Sequence, residues 1–306
     1  MSALDSLKEI QQGFSLVKFS NLIDNALLVE GKTDGVFYKK FTDFLSVFYG
    51  EPETNESNEI ADIVLSKTNL NKNFYGVLDA DYKSKIIANK IVNRIFIIDA
   101  NSLETMLIKY AGNEYFERLI KKGSIKTSDN KKQLVLKHTN KSGNNITESA
   151  LKWAFSIGCL RKKSDELNLS LSFKKVKEDS SYYKKYINYS EDNYKIIGDF
   201  DKESYLEDLC SKSVSFTGNK EQLKQYISEF DSVLAWDICQ GHDIFDFIDC
   251  LNVDSVKPGT AQIVGNMPVK NNRLSSVPKW EYNILEIFDL AKFNGSKLKE
   301  WFDSIS

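Results

Sequence analysis

The chain has little cysteine, histidine or proline, and it has no long apolar run. Its four cysteines, at 159, 210, 239 and 250, form no CxxC pair, which argues against a zinc knuckle. A chain of this size does not need disulfides, so sparse, irregular cysteines fit a reducing cytosol. The two histidines, His138 and His242, are far apart, and no HxxxH or His-Cys cluster offers a zinc site. His242 lies in Gln240-Gly241-His242-Asp243, where a loop-bonding role is the simple reading. No stretch of about 18 apolar residues exists, so no membrane span is expected. Met1 to Gln12 is polar and amphipathic and lacks a signal-peptide core. The expected location is cytoplasmic. GxSxG is missing, which removes the usual serine-hydrolase elbow, and GxxxxGK[ST] is missing, which removes a Walker-type motor. Net charge is −2, from 41 basic and 43 acidic residues. No surface-wide grip on nucleic acid is encoded, and any phosphate-binding face must be a local patch.

What is present is a globular composition: 306 residues, 42% apolar and 27% charged. Residues 3–12 read as a short helix. Ala26 to Val29 is a compact apolar run that predicts a buried strand. Asp34 is placed to cap a following helix, where Val36, Phe37, Phe41, Phe44 and Leu45 recur at helical spacing. Ile60 to Ser66 fits a strand or a short helix equally. Phe74 to Leu78 and Ile95 to Ile98 predict two more strands, and Ser102-Leu103-Glu104 opens a helix through about Tyr110, capped by Asn101 or Ser102. Strand, turn and helix alternate as in a parallel α/β sheet. Residues 121–145 read as polar loop with a short strand at Leu134 to Leu136. A helix follows from Thr147 to about Cys159, residues 160–230 look mainly helical, and a returning strand is possible near 233–238. Three of the four prolines (Pro258, Pro268, Pro278) mark 252–280 as irregular. Two helices, 281–292 and 297–304, close the chain. This predicts a core over 1–115 and a mainly helical region over 116–306 for substrate or partner binding.

Two short acidic motifs stand at strand ends: Val29-Glu30-Gly31-Lys32-Thr33-Asp34 and Leu78-Asp79-Ala80-Asp81. They can bring Glu30, Asp79 and Asp81 to the C-terminal edge of one sheet, where open α/β folds build their sites. Converging carboxylates there suit Mg²⁺ or Mn²⁺, and such a cation suits phosphate. Gly31 lets the backbone turn sharply and leaves room for a ligand. The plain alternative for Glu30 is a surface turn, and for Asp79 and Asp81 an Asx-type turn. Glu104 is a candidate fourth carboxylate, though first-turn acids are also favoured simply by the helix dipole. Asp99 competes for that place. A second DxD, Asp199 and Asp201, has no matching glutamate motif and reads as loop and N-cap.

Lys32 and Lys83 flank the acidic motifs, and either could neutralise a phosphate oxygen. Lysines also cluster at 121–141, Arg161-Lys162-Lys163, Lys174-Lys175-Val176-Lys177 and Tyr182-Tyr183-Lys184-Lys185-Tyr186. Lysines interleaved with tyrosines suit a polynucleotide, charges for phosphates and rings for bases. A solvated helical face fits each cluster singly at least as well.

The order Glu30-Gly31, then Asp79-x-Asp81-Tyr82, then Leu103-Glu104 resembles the TOPRIM domain of topoisomerases, primases and recombination nucleases. It is similar above all to the stand-alone TOPRIM nucleases of bacterial phage-defence loci, the AriB-type effectors of PARIS systems. The 150–161 helix and the Gln240 to Asp243 loop share that likeness. The specific motifs cover about residues 24–110. The resemblance implies a Rossmann-like TOPRIM core, Mg²⁺ or Mn²⁺ dependence and phosphodiester cleavage. It gives Glu30 the part of metal ligand or general base, Asp79 and Asp81 that of metal ligands, and Glu104 a share in a second metal. It implies a toxin-like endoribonuclease that cuts tRNA as a homodimer and is held inactive by an ABC-type ATPase partner. A DNA nuclease, a primase-like enzyme and a non-catalytic TOPRIM module are the alternatives. Many members carry further acids after the DxD; here Asp99 and Glu104 are the nearby candidates, and the metal count stays open.

Overall fold

A computed structural model describes residues 10–19, 22–50, 56–80, 93–110, 146–179, 183–192, 195–251 and 290–306. Five strands, β1 (Ile10–Gln12), β2 (Asn25–Val29), β3 (Ser46–Tyr49), β4 (Asn73–Leu78) and β5 (Ile95–Ile97), form one sheet in the order β1-β3-β2-β4-β5. Every pairing is parallel, so the protein is α/β, as the strand-turn-helix alternation predicts. Ala26, Leu28, Phe48, Phe74 and Leu78 form the core of one sheet face. Phe14 and Val17 cover it from α1 (Ser15–Phe19), and Ile60, Ile63 and Val64 from α3 (Glu56–Thr68). The opposite face, with Val29 and Val47, is covered by α2 (Lys32–Tyr38), whose Gly35 lies directly against both valines. Burial on both faces explains why the strands read as continuous apolar runs.

The strand order reverses at β2. From β2 the chain crosses to β3 on one side, and from β4 it proceeds to β5 on the other. A sheet wound in two directions opens a crevice beyond the carboxyl ends of the strands at the reversal, between β2 and β4. Glu30 follows β2 and Asp79 follows β4, so both acidic motifs sit at that crevice.

Several local expectations give way. Residues 10–12 are strand, not helix, because pairing with β3 supplies their backbone hydrogen bonds; residues 3–9 lie outside the described ones. The helix after Gly31 ends at Tyr38 and tightens into a 3-10 turn (Lys39–Phe41), and residues 46–49 become β3. Phe44 and Leu45 are therefore not on that helix. Residues 60–66 belong to α3. β4, β5 and the helix over 103–110, α4, stand where expected.

The chain divides into two compact units, residues 1–111 with 281–306, and residues 112–280. The expected boundary near 115 is close, but the C-terminal segment belongs to the first unit, not the second. Its helix α11 (Lys297–Ile305) lays Trp301 on Tyr75 of β4 and Phe96 of β5, at 6.1 and 5.5 Å between ring centroids. Phe302 stacks on Phe41 at 5.0 Å and on Tyr38 at 6.2 Å. Phe293 adds Phe37 and Tyr110. Buried aromatics dominate packing energetics, and this cluster explains why so remote a segment returns.

The second unit is built on α5 (Ile146–Leu167), a helix of 22 residues, with α6 (Phe173–Asp179), a hairpin β6 (Ile187–Asp192) and β7 (Lys195–Phe200), α7 (Lys202–Lys212), α8 (Lys220–Lys224), α9 (Ala235–Ile238) and α10 (Gly241–Leu251). The hairpin stands within the stretch 160–230, which the sequence reads as mainly helical. The expected strand near 233–238 is instead a turn and α9. Asp231 is the cause: its Oδ1 accepts from the N–H groups of Val233 and Leu234 at 2.8 and 3.0 Å, which nucleates a helical turn. Asp201 caps α7, accepting from Ser204 N–H at 3.1 Å, while Asp199 lies in β7. At Gly158 of α5 a methyl group would stand 2.6 Å from the Ile238 carbonyl, so only glycine permits α9 to approach so closely. Cys159, Cys210 and Cys239 are free thiols. Among the described residues no helix is long and apolar enough to cross a membrane. The segments 121–145 and 252–280, with their lysine run and three prolines, lie outside the described residues.

Candidate metal centre

Parallel pairing places Val29 of β2 opposite Val77 of β4. One step further, Glu30 falls opposite Leu78, with Asp79 next along. Adjacent strands run about 4.8 Å apart, so the two backbones leave the sheet side by side. Both acids are half-buried.

Each is tied into the turn that follows its strand or the helix beside it. The Gly31 N–H donates to Asp34 Oδ2 at 2.8 Å, and the Gly35 N–H to the Gly31 carbonyl at 3.0 Å, so Asp34 fixes the first turn of α2 from within. Asp34 is thus the third residue of the helix, not its cap. Gly31 has φ −118° and ψ 164°, an extended conformation open to any residue. A side chain there is disfavoured for a different reason than a sharp turn: its Cβ would lie 3.2 Å from Asp34 Oδ2.

Asp79 does not cap its own turn. Its Oδ1 accepts the Leu103 N–H at 3.1 Å, at the first turn of α4. Ser102 accepts the Thr105 N–H through its hydroxyl, and the same hydroxyl donates to Glu104 Oε2 at 2.8 Å. Glu104 therefore sits beside Asp79 at one helix N-terminus, where unpaired N–H groups favour negative charge. Asp99 faces the other way. Its Oδ2 accepts from the Tyr110 hydroxyl at 2.5 Å and from Lys109 Nζ at 3.2 Å, which ties the end of β5 to the last described turn of α4. That leaves Glu104, rather than Asp99, with the other acids.

Tyr38, the last residue of α2, reports the convergence. It is 1% exposed, and its hydroxyl has no hydrogen-bond partner. Burial, then the charges of Asp34, Asp79, Glu30 and Glu104, hold its pKa well above that of an ordinary tyrosine. Four carboxylates, from the ends of two strands and the starts of two helices, thus act on one buried hydroxyl. Sequence reading missed Tyr38 and used Asp34 only as a cap. The signal was there: Asp34 and Tyr38 stand four apart on one helix, and such pairs share a face.

Among the described residues no group of three or more acidic, histidine or cysteine side chains is placed to hold a metal ion. Asp81 and Lys83 lie outside the described residues. The donor set is nonetheless the right kind for Mg²⁺ or Mn²⁺: hard oxygens only, with no sulfur or imidazole. Mg²⁺ keeps several waters and takes only one or two carboxylates.

Of the cationic candidates, Lys32 is exposed at the first position of α2, next to Gly31. The others belong to the second unit. Lys174 and Lys175 are exposed on α6. Lys184 lies in a 3-10 turn (Lys184–Tyr186). Lys185 pairs with Asp208 and covers the Tyr186 ring at 4.9 Å, so its charge is engaged within its own unit. Arg161, from another of the basic clusters, is the buried partner of Asp243.

No protein-family model, curated protein or solved structure matches the chain.

Proposed function

We propose that the protein is a divalent-metal-dependent nuclease with a TOPRIM-like core, and that Glu30, Asp79 and Glu104, with Asp81, hold Mg²⁺ or Mn²⁺. The observation that carries this reading is the seating of Glu30 and Asp79 at the crevice between β2 and β4, with Asp34 and Glu104 acting on the same buried hydroxyl. A cation between Glu30 and Asp79 would offset the repulsion of like charges at that edge. Bound there, the cation would polarise a phosphodiester and make water a stronger nucleophile.

The protein's own groups then have distinct parts. Glu30, at the open end of β2, is placed to take a proton from the attacking water. Asp79 holds the start of α4 and aligns Glu104 through that turn. Lys32 offers positive charge at the rim beside Glu30, and Lys83 is proposed to neutralise the transition state. Lys174, Lys175, Lys184 and Lys185 are proposed to meet the nucleic acid. An RNA substrate, specifically tRNA, an ABC-type ATPase partner that restrains the enzyme, a dimeric active form and a cytoplasmic setting rest on the TOPRIM effector resemblance alone.

Glu30→Gln tests the catalytic reading. Cleavage of tRNA, and growth arrest on expression, should fall by about a thousandfold or more, with circular dichroism and melting temperature unchanged. Wild-type cleavage by this variant sinks the assignment. Offering single- and double-stranded DNA beside tRNA separates the DNA-nuclease alternative. One observation favours a non-catalytic module, namely that Asp79 Oδ1 already serves as a helix cap. Negligible heat on titrating Mn²⁺ into both wild type and Asp79→Asn would support that second reading.

A further inference from the structure

Arg161 spends only one edge of its guanidinium on the fold. Its Nε donates to Asp243 Oδ2 at 2.9 Å and its Nη2 to Asp243 Oδ1 at 3.3 Å. A guanidinium carries five N–H donors in one plane, so after these two bonds three remain, one on Nη2 and both on Nη1. Among the described residues none of the three has a partner. Nη1 is not one of the buried unpaired atoms, and the side chain keeps 16% of its surface exposed. Water therefore reaches the edge formed by Nη1 and Nη2, which points away from Asp243. The plane of the group is fixed as well. It lies over the Phe173 ring at 4.4 Å, and the Tyr183 hydroxyl holds the wholly buried Asp243 from another side at 2.6 Å. Neutralising Asp243 uses none of the outward donors. Two parallel N–H groups on a rigid outward edge are the fork that grips an oxyanion. Lys162 adjoins Arg161 on α5, and Lys174 and Lys175 follow Phe173 directly on α6, both exposed.

We propose that the outward edge of Arg161 is a phosphate contact, taking two oxygens of one backbone phosphodiester of the nucleic acid, with Lys175 adding charge nearby. The inference rests on the nuclease reading above and concerns grip on the strand, not cleavage. A side chain already held by a carboxylate and a ring has little freedom left to lose, so its contact with a ligand costs little entropy. Asp243 offsets much of the arginine's charge. The lysines then supply attraction at a distance, and Arg161 supplies geometry. Phosphate contacts fix where a strand lies without reading its sequence. The same fork therefore serves RNA and DNA alike.

The test uses the chain carrying Glu30→Gln, which should hold a strand without cutting it. Binding of fluorescein-labelled tRNA and of single-stranded DNA is read by anisotropy over a series of KCl concentrations, at a temperature where circular dichroism shows each variant folded. Arg161→Lys keeps the charge and loses the fork, and its affinity should fall about tenfold. Lys175→Gln, at an exposed position, should weaken binding and lessen the salt slope by about one. A second readout leaves Arg161 in place, so it stands even if Arg161→Lys does not fold. Phenylglyoxal, which reacts with the paired nitrogens of a guanidinium, is mapped by mass spectrometry, and a saturating strand should slow modification of Arg161 severalfold. Unchanged affinity in folded Arg161→Lys, with or without a lower melting temperature, overturns the proposal and leaves Arg161 as a scaffold partner of Asp243 alone. Modification of Arg161 at one rate with and without bound strand overturns it too. Both results leave the nuclease reading standing. If neither tRNA nor DNA binds the Glu30→Gln chain, the nuclease reading fails, and this inference with it.

Discussion

Each unit buries a tyrosine beside carboxylates, and the two cases end differently. In the second unit Tyr183 donates to Asp243 Oδ1 at 2.6 Å. Arg161 clasps the same carboxylate with two hydrogen bonds, 2.9 Å from Nε to Oδ2 and 3.3 Å from Nη2 to Oδ1. Asp243 is wholly buried, and the Tyr183 ring stacks on Phe247 at 4.4 Å. Burial lowers the pKa of Arg161 and the Asp243 charge raises it, with the net direction upward, so the guanidinium stays charged. In the first unit the Tyr38 hydroxyl is buried and, among the described residues, has no hydrogen-bond partner. A buried polar group whose partners all come from the fold is part of the scaffold. One that is buried without a partner costs stability rather than supplying it.

Cutting the satisfied network should give the largest effect on stability. Asp243→Ala leaves the Arg161 guanidinium buried without its partner, and such a loss costs about 3–5 kcal/mol. Urea denaturation should show it directly, and a change below about 1 kcal/mol would mean that the ion pair is solvated after all. Tyr183→Phe is the sharper probe, because it is the same substitution as Tyr38→Phe in the other unit. It takes a hydrogen bond from a buried charge and should cost about 1.5–3 kcal/mol. Tyr38→Phe, by contrast, should leave the metal-free protein no less stable. Equal losses from the two substitutions would erase the distinction between the units.

The smallest effect comes from acid. Asp201 is held below the usual aspartate range by the Ser204 N–H and hydroxyl. Asp208 is pushed up by burial but pulled down further by Lys185 and Tyr186, and its net shift is also downward. A carboxylate with a depressed folded pKa stabilises the protein above its unfolded value, near pH 4, and loses that contribution as pH falls through the folded pKa. The melting temperature should therefore drop below about pH 4. The fall should be shallower, by a small margin given the exposure of both groups, in an Asp201→Asn, Asp208→Asn double variant. An identical acid slope would remove these two residues from the account.

Sequence carried the centre of the first unit well and its edges poorly. Ala26 to Val29 and Phe74 to Leu78 are buried on both faces, so their apolar runs need no context to be read as strands. β1 and β3 are short, and their strand character comes from pairing with each other and, for β3, with β2, which no local pattern records. The positions of Glu30 and Asp79 at strand ends were legible because they follow those clear strands. Asp79 as the anchor of α4 was not legible, because its partner Leu103 is 24 residues away. Tyr38 was hidden by its own ring, which reads as one more apolar position on α2. In the second unit, Asp231 turned an apolar stretch at 233–238 into a helix through two short hydrogen bonds, a local preference that overrode the look of a strand.

The aromatic clasp of α11 has a consequence in time. Tyr38 is made early, but Phe293, Trp301 and Phe302, which fix it and cover β4 and β5, leave the ribosome only after the whole second unit has been synthesised. Until those residues emerge, Tyr75 and Phe96 lack their aromatic cover. The first unit therefore completes its aromatic packing only after the second unit has been made.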